Sequence, residues 1–363
     1  MRGEEGNQHV SIARRRLVAQ HLTHRMHTSI ADVVHHMTAM QAQDAAMVRW
    51  AVGIRLPGTT DAAVRQALDR GEIIRTHLLR PTWHLVAAAD LRWLLALTAP
   101  HIRRRTATRH RDLEITPAVE AKSLRIIADV IGSRGPLTRE DLGEALQRSK
   151  IILSDNRLSH LLMLAELHAL ICSGPFRGKQ ATYALVDDRV PRCGPIGRAE
   201  ACAALVRRYL AGHGPASVRD VVWWSGLSAS DVLHAIEDLG GAVHAESIDG
   251  ETYWSTDEHA IRLRRAAVHL LPAFDEFIIA YADRSASLPA PIAKGVVSSN
   301  GIFRAAISVD GSVVGLWIRE FAKAGVHITM NILAGMKRPA KTALDAAAAA
   351  YASFVEKEPL LHG

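Results

Sequence analysis

Two glutamines separated by one alanine, Gln41 and Gln43, have the types and the spacing that most directly suggest chemistry. A glutamine amide donates and accepts hydrogen bonds without carrying a charge, so two of them can hold a water molecule without titrating. Such a pair suits a reaction whose substrate is already activated and needs only a positioned nucleophile. Residues i and i+2 of a regular helix point to nearly opposite faces. We therefore expect both glutamines to lie at a helix end or in a turn if they serve one site.

The basic charge of the chain is confined to its first third. The 363 residues carry a formal net charge of +7, and residues 1–111 contain 17 arginines, no lysine and 8 acidic residues. Guanidinium groups make bidentate contacts with phosphate that lysine cannot make. The asymmetry favours a nucleic acid over a merely solvated surface as the explanation of this charge. The lack of lysine also leaves no Schiff-base nucleophile near the glutamines.

The rest of the composition is that of an ordinary globular protein. Hydrophobic residues make up 48% and charged residues 22% of the chain. No apolar run is as long as a membrane span, and the N-terminus has no apolar signal core, so we expect a cytoplasmic, nucleoid-associated protein with no membrane partner. The three cysteines, Cys172, Cys193 and Cys202, have no paired zinc spacing and are expected to be free thiols.

A repeated pattern predicts the organisation of the chain. Residues Gly135–Leu142 and Gly214–Val221 both read Gly-Pro-x-(Thr/Ser), with a hydroxyl in N-cap position and an acidic residue in the first helical turn. Each follows an amphipathic helical pattern, precedes another helix and leads to two short strand patterns around a polar turn. Helix, helix, helix and β-hairpin is the winged form of helix-turn-helix. The N-terminal third fits this plan more loosely, with predicted helices over 10–21, 30–40, 45–54 and 61–70 and strand-like residues 73–86.

The predicted fold is mainly α with β-hairpin wings, an α+β class made of three tandem winged-helix motifs. Seams near 113–118 and 187–197 divide the chain into residues 1–115, which contain the glutamines, 116–190 and 191–363. The last unit carries an attached C-terminal α+β extension. Its predicted elements are a strand-like core over 268–281, a hairpin around Asp310-Gly311 that could probe DNA, and an alanine-rich helix over 343–355.

Basic residues in the first third are candidates for DNA contacts. They comprise an arginine cluster that follows a predicted helix, the polar positions of the predicted hairpin and one arginine just after the glutamines: Arg49, Arg75, His77, Arg80, His84, Arg103, Arg104 and Arg105. Trp83 lies among them and is expected to pack in the core.

Histidines are frequent before the glutamines, and their number suggests a metal site at first sight. They are His21, His24, His27, His35 and His36. No cysteine and no carboxylate at suitable spacing accompanies them. We therefore expect no metal and no cofactor.

The adjacent carboxylates Asp275 and Glu276 could form an acid–base pair of the kind that glycosidases use. Neighbouring residues of a strand point to opposite faces, which favours a structural hydrogen-bonding role instead. A similar expectation holds for Trp223 and Trp224. Base stacking is open to them, but we expect one ring to be buried and the other half-buried.

Four segments of the sequence together are similar to a known family: MQAQD at 40–44, RTHLLRPTWHLV at 75–86, LLPAFDEFIIAYADRS at 270–285 and NGIFRAAISVDGSVVGLW at 300–317. The resemblance that they carry, over nearly the full length of the chain, is to the AlkZ/YcaQ-type winged-helix DNA glycosylases. It implies three tandem winged-helix motifs in a curved body that embraces DNA. It also implies excision of N7-alkylated purines, including bulky adducts and interstrand crosslinks. One branch of that family has a Gln-(apolar)-Gln motif and the other Gln-(apolar)-Asp, and Gln41 and Gln43 match the first.

We therefore expect a monofunctional DNA glycosylase in which Gln41 and Gln43 orient the attacking water. Its expected partner is double-stranded DNA with alkylated purines, which it would bind as a monomer, in repair or in self-resistance to a genotoxin. The alternative is a non-catalytic winged-helix transcription regulator, which would typically be a symmetric dimer on spaced half-sites. Three unequal units with the charge confined to one of them favour the glycosylase.

Overall fold

Three stretches of the chain share one order of elements: a helix, a short strand or bridge, two helices and a β-hairpin. The computed structural model describes residues 12–23, 27–256 and 267–362. A helix over 12–19, α1, precedes the first stretch. The first stretch contains α2 (Ile30–His36), β1 (Met40–Gln41), α3 (Ala45–Arg55), α4 (Asp61–Arg70), β2 (Ile73–Leu78) and β3 (Thr82–Ala87).

The second and third stretches follow a long connecting helix, α5 (Leu91–Asp112). The second contains α6 (Pro117–Arg134), β4 (Leu137–Thr138), α7 (Arg139–Arg148), α8 (Arg157–Leu167), β5 (Ile171–Ser173) and β6 (Thr182–Leu185). A short helix, α9 (Val186–Arg189), ends it. The third contains α10 (Arg198–His213), α11 (Val218–Ser225), α12 (Ala229–Leu239), β7 (His244–Ile248) and β8 (Glu251–Ser255).

Sheet pairing follows the same plan in each stretch. The first two sheets have the orders β1-β3-β2 and β4-β6-β5. In the third, a single bridge between Ala216 and Trp254 takes the place of the first strand. Capping boxes begin α7 at Thr138 and α11 at Ser217, as the repeated sequence pattern predicted. Local hydrogen bonding at helix starts therefore sets where each repeat turns.

The C-terminal region forms a mixed sheet with helices. Its elements are β9 (Val268–Leu271), α13 (Glu276–Ile279), α14 (Ala290–Val296), β10 (Ala306–Val309), β11 (Ser312–Phe321), β12 (Val326–Ile332), α15 (Lys341–Phe354) and β13 (Pro359–His362). The sheet order is β13-β12-β11-β10-β9, with β13 parallel to β12. Asp310 and Gly311 join β10 to β11 with φ of 50° and 88°, as a type I′ turn requires.

The expected strand over 268–281 is wrong beyond Leu271. Pro272 follows β9, and proline cannot donate a ladder hydrogen bond, which ends the strand there. The chain then turns into α13, and the Asp275 carboxylate accepts from the backbone N–H of Phe277 as its N-cap. Asp275 and Glu276 therefore lie at a helix start rather than on a strand.

The C-terminal sheet packs on the first stretch, not on the third as we expected. One core contains buried side chains from Leu17 to Leu85 and from Leu270 to Phe354. Trp50 of α3 contacts the rings of Tyr351 and Phe354 at centroid distances of 5.2 and 5.1 Å. The first stretch, which ends at Ala87, is therefore completed by residues from Val268 onward.

A buried ion pair joins the same two regions. The Arg55 guanidinium donates to both carboxylate oxygens of Asp275, at 2.9 and 3.0 Å. Its other donors bind the side chain and backbone oxygens of Gln20 and the carbonyl of Ala51. All five N–H groups of Arg55 thus have acceptors, which offsets the cost of removing the charge from water.

Within the described residues, no helix is both long and apolar enough to cross a membrane.

Replacing Arg55 with methionine should lower the free energy of unfolding by about 3–5 kcal/mol, because the buried Asp275 carboxylate then loses its charge partner. Urea denaturation measures the change. The matched control is Lys341→Ala, which removes an exposed pair with Asp345 (N–O distance 3.0 Å) and should cost less than about 1 kcal/mol. Equal losses in the two variants would contradict a structural role for the buried pair.

Candidate active site

Both glutamines lie outside a regular helix, as the spacing argument required. Gln41 is on β1 opposite His84 of β3, and Gln43 is in the bend between β1 and α3. The Asp44 carboxylate closes this bend as the N-cap of α3, accepting from Ala46 and Met47 N–H at 2.9 Å each. Gln41 is 5% exposed, whereas Gln43 is an exposed residue. The motif therefore runs from the protein interior to its surface.

The amide of Gln41 is oriented by two donors. Its Oε1 accepts from Arg80 Nη2 at 3.3 Å and from Thr82 Oγ1 at 3.4 Å. Because a guanidinium only donates, the amide oxygen must be the atom that faces Arg80. The NH2 group of Gln41 then points elsewhere and hydrogen-bonds to none of the described residues. It remains available as a donor.

The backbone of the motif is held at successive peptide groups. Gln41 N–H donates to Glu276 Oε1 at 2.6 Å, and Ala42 N–H donates to the Trp83 carbonyl at 2.7 Å. Arg75 Nε donates to the Ala42 carbonyl at 3.0 Å, and its guanidinium lies 4.0 Å from the Trp83 ring centroid. Loops held by this many directed contacts keep their side chains in defined positions.

Glu276 is the buried anchor of this arrangement. Its side chain is 1% exposed, and its Oε2 accepts from Trp224 Nε1 at 2.9 Å and lies 3.6 Å from His213 Nε2. With Asp275 paired to Arg55, both carboxylates have structural partners, which confirms the structural role expected for them. Sequence reasoning did not find that Glu276 holds Gln41, although a buried acidic pair in an apolar run signals that partners must exist.

A cationic and aromatic rim adjoins Gln41. Trp223 is 43% exposed and its neighbour Trp224 is fully buried, as expected for this pair. The Trp223 ring centroid lies 5.5 Å from the guanidinium carbon of Arg80 and 5.2 Å from that of Arg284. Burial lowers the pKa of Arg80, although nearby Glu276 opposes the shift. Arg284 and Thr82 were not identified from the sequence, because nothing local distinguishes them.

Several basic residues predicted to contact DNA are instead paired with acidic side chains of the protein. Arg49 pairs with Asp61 at 2.6 Å, His77 with the buried Glu166, and Arg103 with Glu120 at 2.6 Å. The predicted DNA contact of His84 is wrong, because its ring is 0% exposed and its Nδ1 donates to the Thr82 carbonyl at 3.0 Å. Burial lowers its pKa well below the usual value. An enclosed ring cannot reach a DNA groove.

Arg104 and Arg105 differ from the other arginines of this region. Both are exposed on α5. Among the described arginines of residues 12–111, they are the two that make neither a hydrogen bond nor an ion pair with the protein. Positions three and four apart share a helix face, so His101 lies on the same face of α5. The guanidinium charges of Arg104 and Arg105 on this face of α5 are therefore not paired with an acidic side chain of the described residues.

The Asp310-Gly311 turn, considered as a tip that could probe DNA, is packed against α1. Asp310 Oδ2 lies 3.6 Å from Arg14 Nη2, and Asp310 Oδ1 accepts from the Ala267 N–H at 2.9 Å. A Cβ added at Gly311 would lie 2.8 Å from the Cβ of Ala13. The turn therefore acts as a packing element in this structure.

Comparison with known proteins gives one consistent result. The family model described as "DNA glycosylase AlkZ-like" matches residues 34–354. An "Interstrand DNA cross-link repair glycosylase" of Streptomyces sahachiroi is 24% identical over 317 residues, which are 83% of this chain and 85% of that protein. The solved structure of "Streptomyces sahachiroi DNA glycosylase AlkZ" superposes with a TM-score of 0.79 at 21% identity, over 98% of this chain and 99% of that one.

Changing Glu276 to glutamine should destabilise the site, because the Gln41 and Trp224 N–H groups donate to different carboxylate oxygens, and an NH2 group that replaces one of these oxygens cannot accept. The N–H group that then faces the NH2 group loses its acceptor. This loss should lower the free energy of unfolding by about 1–3 kcal/mol, and denaturation measures it. Glu237→Gln, on the exposed face of α12, is the control and should change it by less than about 0.5 kcal/mol. An unchanged Glu276→Gln variant would show that the carboxylate does not anchor the motif.

Proposed function

Because the chain belongs to the AlkZ-like family of DNA glycosylases, we propose that it hydrolyses the N-glycosidic bond of cationic N7-alkylated purines in double-stranded DNA. The observation that carries this proposal is the Gln41–Gln43 segment, in which the Gln41 amide is oriented by Arg80 and Thr82. The two neighbouring carboxylates of the described residues, Asp44 and Glu276, are both engaged. The cross-link repair activity of the S. sahachiroi relative supports extending the substrate range to bulky adducts and interstrand crosslinks.

The proposed reaction needs little acid–base catalysis from the protein. Alkylation at N7 places a positive charge on the purine, and cleavage of the glycosidic bond returns the electron pair to the base, which leaves neutral. The sugar becomes oxocarbenium-like, a water oxygen bonds to its anomeric carbon, and a proton is released to solvent. A positioned water and electrostatic shielding are sufficient. Asp44 and Glu276 are both occupied as hydrogen-bond acceptors, in agreement with a reaction that needs no carboxylic acid.

The two amides take different roles in this scheme. The Gln41 oxygen accepts from Arg80 and Thr82, so its NH2 group donates to the attacking water. The exposed Gln43 supplies the amide oxygen that accepts from the water and faces the cationic sugar. This division refines the symmetric role that the sequence suggested. The enzyme is monofunctional, since no lysine occurs in residues 1–111 to attack the sugar.

DNA binding follows from the repeated architecture and the free charge. We propose that the three stretches are winged-helix units that bind the duplex as a monomer. Arg104 and Arg105 contact phosphates from α5. Arg49 and Arg103 are already paired with carboxylates, and they contribute less. A transcription regulator that lacks catalysis would have no need of an amide oriented as that of Gln41 is, so the glycosylase is favoured.

Replacing Gln41 and Gln43 together by alanine should abolish base release while DNA affinity stays within about twofold, because the amides touch the water and not the backbone phosphates. The assay is single-turnover excision from a duplex with one N7-methylguanine, followed by alkaline cleavage of the abasic site. The control is Gln66→Ala, an exposed glutamine of α4, which should excise normally.

Wild-type excision by the double variant would refute the catalytic role of the pair. A sequence-specific mobility shift without cleavage by the unmodified protein would instead support the regulator. Testing Gln41→Ala and Gln43→Ala separately distinguishes the two roles. Equal effects would support a shared water, and a loss confined to Gln43→Ala would assign the reaction to the exposed amide.

The double variant Arg104→Ala/Arg105→Ala should weaken binding to damaged and undamaged duplexes alike. The slope of log affinity against log salt should fall by about 0.9 for each lost phosphate contact. Fluorescence anisotropy over a salt series measures it. Arg148→Ala, which removes an exposed arginine of α7 paired with Glu144, is the control, and a slope that does not change in the double variant would place the DNA elsewhere.

A further inference from the structure

Three histidines converge where α1 ends and α2 ends. One potential ligand atom from each of His21, His27 and His36 lies within 4.8 Å of the other two. His21 Nδ1 and His27 Nε2 are 2.6 Å apart. The ring centroids of His21 and His36 are 4.0 Å apart, and those of His27 and His36 are 4.9 Å apart. Their spacing along the chain did not predict this convergence, because His21 lies in the turn after α1 whereas His36 is the last residue of α2.

We propose that His21, His27 and His36 bind one zinc ion through a ring nitrogen each, with water as the fourth ligand. Zinc–nitrogen bonds of about 2.0–2.1 Å at tetrahedral angles place ligand nitrogens about 3.4 Å apart. His21 Nδ1 and His27 Nε2 are closer than this, at 2.6 Å, and all three ligand atoms lie within 4.8 Å of one another. Rotation of the side chains would therefore bring the three nitrogens to the spacing that zinc requires. An all-imidazole set suits zinc and neighbouring transition metals rather than magnesium or calcium, which take oxygen ligands.

The outer partners of the cluster favour a metal. His36 Nε2 donates to the Ala19 carbonyl at 2.7 Å, which fixes its tautomer and leaves Nδ1 as the free ligand atom. Metal-binding histidines usually make such a contact with their second nitrogen. His21 has a φ of 54°, in the left-handed region that a residue other than glycine adopts at an energetic cost. That backbone conformation occurs at a residue whose ring lies against the other two.

The charges of the groups around the three histidines are compatible with a bound divalent cation. His213 and Arg55 face His36, and Asp32 and His35 act on His27. The Arg55 charge is balanced by its bidentate pair with Asp275, and His35 is held by Asp90 at 2.7 Å. His24, considered with the other histidines in the sequence, lies outside the described residues. The cluster shares no residue with the Gln41–Gln43 segment, and zinc binding does not depend on the proposed reaction.

The test is zinc binding by the full chain prepared without a polyhistidine tag. After removal of metal by a chelator, the protein is dialysed against zinc, and the bound metal is counted by plasma mass spectrometry. One zinc per chain is expected. The zinc affinity of His27→Gln and of His36→Gln should be at least about 100-fold lower, which is more than the loss caused by replacing a residue that only hydrogen-bonds to a metal ligand. His234→Gln, on the exposed face of α12, should bind as the wild type does.

Two further measurements keep the outcome decisive if one variant folds poorly. His21→Asn preserves a residue that tolerates the left-handed conformation, and circular dichroism checks its fold before zinc is counted. Cobalt substitution should give the intense visible absorption of a tetrahedral site. Zinc retention that is equal in the wild type and the three cluster variants, or absent from the wild type, would overturn the proposal.

Discussion

The buried carboxylate of Glu276 is the constraint on which the candidate site depends. It accepts hydrogen bonds from the Gln41 backbone and from the Trp224 indole, so it joins the first stretch, the third stretch and the C-terminal region at one point. A charge in this position is stable only if its acceptor sites are filled. The need to satisfy Glu276 therefore fixes β1 against α11, and this contact places the glutamine segment.

Other buried ion pairs extend the same principle through the molecule. Arg55 and Asp275 bind α3 to the start of α13, and Arg16 and Asp220 bind α1 to α11 at 3.3 Å. Each pair crosses between regions that are distant in sequence and excludes alternative registers, because a shifted chain would leave a charge unpaired. The aromatic packing of Trp50 on α15 then adds apolar burial around contacts whose geometry is already set.

Local features of the fold could be predicted from the sequence, whereas long-range placement could not. The capping boxes at Thr138 and Ser217 and the turn at Asp310-Gly311 are encoded within a few residues, and the structure contains them. The contact of Gln41 with Glu276 spans 235 positions, and no local pattern reports it. The same holds for the packing of the C-terminal sheet on α3 and for the meeting of His21, His27 and His36. The position of the glutamines outside a helix was predictable because it follows from side-chain periodicity alone.

The high arginine content of the first third has two physical explanations, and the sequence alone suggested only one of them, phosphate binding. A guanidinium offers five fixed donors, so it can fill several buried acceptors at once, as Arg55 does with Asp275, Gln20 and Ala51. A lysine there has three donors and would leave acceptors unpaired. Much of the arginine excess therefore reflects internal hydrogen bonding rather than phosphate binding. Among the described arginines of residues 12–111, Arg104 and Arg105 on α5 make no such contact with the protein, so under the proposed function they are the ones available to attract DNA.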